Sequence, residues 1–120
     1  MEPAGRMYFK DEIVFTDWFA RGGDGIILRL EAIKRSGGTA TVDVYTKNTE
    51  DTGDGSAISG WTITASSNGI KELIKISDAG AGTVGMKQQV RLKVTITGST
   101  ASDWILMRFF APIFFDAAAA

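Results

Sequence analysis

The chain has 120 residues, 44% of them apolar, with 13 basic against 14 acidic side chains and a formal net charge of −1. That bounds it to one domain with enough apolar material for a core, and argues against a general nucleic-acid or membrane-surface binder, which usually needs a basic excess. With no cysteine and no histidine, disulfides, thiolate nucleophiles, zinc clusters and a Ser-His-Asp triad are excluded.

The first ten residues open on Met-Glu-Pro-Ala-Gly-Arg. They lack a basic run followed by an apolar stretch, so no signal peptide is read. Glu2 to Gly5 reads as irregular chain, and residues 1–10 are expected to form an N-terminal arm. Ile13 to Phe19 alternates weakly, with Ile13, Phe15, Asp17 and Phe19 on one side. Arg21 to Gly25 is a glycine-rich tight turn. From Gly25 to Arg35, Ile26, Leu28, Leu30 and Ala32 line one face of a strand. Arg35 to Gly38 is a second turn. In Thr39 to Lys47, Ala40, Val42, Val44 and Thr46 alternate with Thr41, Asp43, Tyr45 and Lys47, which is the period of a half-buried strand. Trp61, Ile63 and Ala65 continue the pattern after the loop Asp51–Ser56. Ile70 to Ser77 is ambiguous: Glu72, Ile74 and Ile76 fall on one face, Lys71, Leu73 and Lys75 on the other. Gln89 to Gly98 is the cleanest strand, Val90, Leu92, Val94 and Ile96 against Arg91, Lys93, Thr95 and Thr97. Trp104 to Phe110 is apolar on both faces, as in a central or covered strand. The run Trp104–Phe115 is too short for a membrane helix, which needs about 20 apolar residues. The last four residues, 117–120, are alanines and form a tail. The expectation is an all-β fold: a single antiparallel β-sandwich over residues 11–116, jelly-roll-like, with seven to eight strands.

Several motifs admit two readings. Gly80 to Gly85 matches G-x-G-x-x-G, but a strand follows where a dinucleotide site needs a helix, so a hairpin loop is expected. The loop holding Glu50, Asp51 and Asp54 has oxygen ligands suited to calcium, yet the twelfth position of an EF-hand would be Trp61 where a glutamate is required. A solvated acidic loop is the simpler reading, and no cofactor or metal is assigned. Lys71, Lys75, Arg91 and Lys93 read as outward lysines and arginine that blunt strand edges. Arg108 stands inside the most apolar segment, where a lone charge is costly; Asp17 and Asp103 are candidate partners. No second acid joins Asp11, Glu12 or Asp17 at a recognisable spacing, so no enzyme is expected and no catalytic residue is named.

The ends are richer in large apolar groups than the middle. Phe109, Phe110, Ile113, Phe114 and Phe115, with Arg108 among them, and Met7, Tyr8 and Phe9 at the other end, are expected at a subunit contact, where aromatic residues are enriched. The alternative is a carbohydrate-binding β-sandwich module, in which Trp18, Tyr45 and Trp61 would face the ligand.

The cysteine-free sandwich, the strand and loop Thr41-Val-Asp-Val-Tyr-Thr-Lys-Asn-Thr-Glu-Asp51, and the segment Asp103-Trp-Ile-Leu-Met-Arg-Phe-Phe-Ala-Pro112 give a chain that resembles the small all-β capsid decoration or auxiliary proteins of tailed bacteriophages. The resemblance is one of general outline, with no diagnostic motif and no functional residue to carry over. It implies a non-enzymatic structural protein on the capsid surface of a virion. Its partners would be copies of itself, a trimer favoured, and a major capsid protein, with no nucleic acid and no membrane, and its role would be to reinforce the shell through many weak contacts.

Overall fold

The computed structural model describes residues 4–77, 85–98 and 100–116. They form ten strands and no helix: β1 (Arg6–Phe9), β2 (Ile13–Phe15), β3 (Phe19–Ala20), β4 (Gly25–Arg35), β5 (Thr39–Lys47), β6 (Ser56–Ala65), β7 (Gly69–Ile76), β8 (Gln89–Thr97), β9 (Trp104–Phe109) and β10 (Ile113–Phe115). Every pairing is antiparallel, and the strands make two five-stranded sheets.

In the first sheet, β7 runs along β4 from Gly25 to Ala32. A strand has only two edges, so β9, paired from Leu30 to Arg35, and β10, paired from Gly25 to Ile27, share the other edge. β1 lies outside β9. In the second sheet, β5 covers the full length of β8, which leaves β2 and β3 in line along the opposite edge of β8, with β6 outside β5. Ten strands thus fill eight positions, where the sequence leads one to expect seven or eight strands. The extra count comes from two positions split into short pieces, one interrupted by Asp17 and Trp18, the other by the chain around Pro112, which lacks an N–H for the ladder.

The core lies between the sheets and follows the period of two. Ile26, Leu28, Leu30 and Ala32 of β4 face Val42 and Val44 of β5 and Val90, Leu92, Val94 and Ile96 of β8, all buried. Buried Thr16 and Thr46 are satisfied: the Thr16 hydroxyl accepts from the Leu92 amide at 3.0 Å, and the Thr46 hydroxyl donates to the Gln89 carbonyl at 2.8 Å.

Two places depart from simple alternation. Between Asp43–Thr62 and Tyr45–Ala57 the β5–β6 register slips, so that four residues of β6 stand opposite Val44 alone. Gly60 takes φ +83° there, a conformation that glycine adopts without strain. This lets Ile58 and Trp61 both turn inward. In β4 the register with β9 slips between Ala32 and Lys34, leaving Ile33 as the bulged residue. The segment 6–9 is a paired strand whose Tyr8 is wholly buried, so the expected arm does not extend over these residues. Residues 1–3 of that arm and the alanine tail 117–120 lie outside the described residues.

Candidate functional site

Register fixes which side chains leave the first sheet on its outer face. Opposed residues share a face. Ile27 stands opposite Ile74 and Ile113, Arg29 opposite Glu72, and Glu31 opposite Ile70 and Arg108. Gly25 is flanked by Ile76 and Phe115. On the far side, Met7 meets Leu106 and Phe9 meets Trp104. Ile70, Ile74, Ile76 and Ile113 are each more than half exposed, and Met7, Phe9 and Ile33 nearly half. Large apolar side chains therefore reach across all four strand positions. Only β4 has the full 11 residues, against 8 in β7, 6 and 3 in β9 and β10 and 4 in β1, so the face is roughly 500 Å², its charged row included; the largest apolar patch on a typical monomer is about 300–600 Å² and is often functional.

Five charges stand on this face: Lys34, exposed opposite Leu106, and two ion pairs. The Arg29 Nε donates to Glu72 Oε2 at 2.9 Å, and the Arg108 Nε donates to Glu31 Oε1 at 2.7 Å. Arg108 also lies over the Phe110 ring, 4.9 Å from its centroid. Its partner is therefore Glu31, neither Asp17 nor Asp103, and it is half exposed, so it bears little of the burial cost that its apolar neighbours suggest. Two ion pairs balance within the face, and Lys34 leaves it one net positive charge.

The terminal residues expected at a contact divide by the pleat. Met7, Phe9, Arg108 and Ile113 are exposed on the outer face; Phe110 and Phe115 are half-buried. Tyr8 and Phe109 point inward and are core residues. Phe114 packs inward on the core and lies 6.2 Å from the Phe19 ring. The turn Arg21–Gly25 seats the two terminal phenylalanines. A Cβ on Gly22 would lie 3.0 Å from Phe114, and one on Gly25 would lie within the Phe115 ring at 2.3 Å. Phe115 covers the cross-strand glycine, the arrangement known as aromatic rescue.

Sequence reasoning missed the β7 contribution. It pairs Ile74 and Ile76 with Glu72, as observed, but treats the lysines as the outward set. In the structure Lys71 and Lys75 stand opposite the buried Leu30 and Ile26 on the inner side, while the isoleucines face out. Lys71 reaches the edge, its Nζ 3.1 Å from the Ser67 hydroxyl. Arg91 and Lys93 lie on the other sheet, so the four basic residues make no single patch.

The outer face of the second sheet is threonine-rich and carries an aromatic–cation cluster. Phe15 and Tyr45 meet edge to face at 5.5 Å. The Arg91 guanidinium lies 3.9 Å from the Phe15 centroid and 4.5 Å from that of Trp18, Lys47 lies 4.7 Å from Trp18, and Lys93 lies 5.8 Å from Tyr45. Of the three aromatics expected to face a sugar, Trp18 and Tyr45 share this surface, half-buried beneath cations, whereas Trp61 is in the core. Arg91 ties the cluster to the acidic loop through Asp54 at 3.4 Å. In that loop Asp51 accepts from the Asn48 amide at 3.0 Å, and among the described residues no three acidic side chains group to hold a metal. Of the Gly80–Gly85 motif only Gly85 lies within the described residues.

No protein-family model, curated protein or solved structure matches the chain.

Proposed function

We propose that the chain is a non-enzymatic structural protein that works by multivalent protein–protein contact, with the outer face of the β7-β4-β9/β10-β1 sheet as its docking surface. The observation that carries this reading is the set of large apolar side chains exposed on that face, Ile74, Ile76 and Ile113 on one side of the charged row and Ile33, Met7 and Phe9 on the other. Covering one such side chain fully is worth about 1.5–3 kcal/mol, and repetition over many copies multiplies weak contacts by avidity.

The setting we assign is a virion, with the chain as a capsid decoration or auxiliary protein on the shell surface. Two features support it. One is the outline shared with such proteins. The other is the strand order: β1, β9/β10, β4, β7 in one sheet and β2/β3, β8, β5, β6 in the other. The chain changes sheet at every step except within the split positions and between β5 and β6, and this order supports a jelly roll, a frame that viral shell proteins share with lectins. In particles purified from the virus that encodes the chain, mass spectrometry should find it in fixed ratio to the major shell protein. Its absence from those particles would overturn the assignment.

The carbohydrate reading retains one supporting observation, the shared placement of Trp18 and Tyr45. Sugars stack on open ring faces, and these rings carry Lys47, Arg91 and Lys93. Titration with glycans should leave the tryptophan fluorescence unchanged; a saturable change would favour this alternative.

A further inference from the structure

Resting on the docking reading above, we propose that the surface is occupied by a second copy of this chain, packed face to face about a two-fold axis that crosses β4 at a right angle above Leu30. The row of charges selects this geometry. Arg29 and Glu31 are two residues apart on the same outer face, with Glu72 beside the first and Arg108 beside the second. Rotation about that axis reverses the strand direction and exchanges the two levels. Arg29 of one copy then lies opposite Glu31 of the other, and Glu31 opposite Arg29. An axis along β4 would set Arg29 against Arg29.

The same rotation matches apolar groups on the β4 and β9/β10 lanes, while Ile74 and Ile76 fall beyond the β7 of the second copy and Met7 and Phe9 beyond its β1. Ile27 falls opposite Ile33 of the second copy. Ile113, level with Ile27 on one lane, falls opposite Leu106, which is level with Lys34 on the same lane. Aligned sheets pack with their strands about 30° apart because each is twisted, so these are matches of level and lane. The face of roughly 500 Å² is at the low end of what specific interfaces bury per partner, so the pair is expected to be weak and to form as concentration rises. A patch that meets itself closes at two copies.

The test uses the full chain in light scattering and sedimentation, with circular dichroism to show that each variant is folded. The parent should approach twice the 12.9 kDa monomer mass as concentration rises. Arg29→Glu and Glu31→Arg each place like charges across the axis and should each weaken self-association ~10-fold or more. Mixed in equal amounts they should associate again, as a pair of unlike chains. A parent that stays monomeric, a three-copy mass, or a mixture that does not recover would overturn the two-fold pairing. Ile74→Lys with Ile113→Lys separates the two claims. If it abolishes association while the charge exchange fails, only the pairing geometry is lost. If the parent associates and this variant does so equally well, the docking face itself is wrong.

Discussion

Tyr8 buries its ring completely while its hydroxyl has no hydrogen-bond partner. Burial pushes the phenol well above its ordinary value near 10, nearby Arg6 lowers it, and Glu12 adds to the rise. An orphaned buried hydroxyl costs more than its removal. Tyr8→Phe should therefore stabilise the fold by about 1 kcal/mol at pH 7 in urea melts. The pH dependence has a definite sign. Above pH ~10 the unfolded phenol loses its proton while the folded one keeps it, so the native state binds more protons and stability falls as pH rises. That fall should be shallower in Tyr8→Phe; equal slopes would contradict the burial. Gly25→Ala should cost about 1–3 kcal/mol, since its methyl would occupy the Phe115 ring position and the neighbour must move. An unchanged melting temperature would show that Phe115 does not sit there. Neither effect is legible in the sequence. Arg21–Gly25 reads as a turn because glycines mark turns, and only the 90-residue return of β10 reveals it as a seat. Arg108 and Glu31 are likewise far apart in sequence, and alternation cannot say which strand lies alongside which.

At the scale of elements, alternation identifies the strands well where one face is strongly apolar. β4, β5 and β8 have the inward sets that their sequences imply. β7 defeats that logic because both of its faces carry apolar groups, and which one turns inward depends on register with β4. The reversal has a measurable consequence. At concentrations where the chain is monomeric, Ile70→Lys and Ile74→Lys should each change stability by no more than about 0.5 kcal/mol, as exposed positions do. Leu73→Ala, on the inner side against the core, should cost more, and the opposite order would restore the lysine-out reading. β6 shows a second limit. Its register slip at Gly60 breaks the period of two, so the alternating Trp61, Ile63 and Ala65 are visible but the earlier Ile58 turn is not. The β10 strand changes how the C-terminus is to be tested. Because Phe109 is core and Phe114 packs on it, deleting residues 108–120 would remove part of the interior along with the surface. Single outward substitutions probe assembly without that damage.

For the whole molecule, the all-β class and the two-sheet packing follow from a sequence rich in alternating valine, isoleucine and threonine with glycine at the turns. The proposed docking surface is only half legible in the sequence. Sequence composition locates surplus apolar side chains at the termini, but the pleat sends Tyr8, Phe109 and Phe114 inward and brings in β7 from mid-chain. What remains outside is one face that carries two ion pairs and Lys34, its apolar groups spread from β1 to β7. Salt should weaken its association, because the Arg29 and Glu31 matches across the axis are screened while the burial of apolar area is not. The measurement that bears most directly on this account is the native mass of the full chain across a range of concentrations, set beside Ile74→Lys with Ile113→Lys. The parent should associate and the doubly substituted chain should remain a folded monomer. A parent that is monomeric at every concentration, or a variant that associates as the parent does, would contradict it.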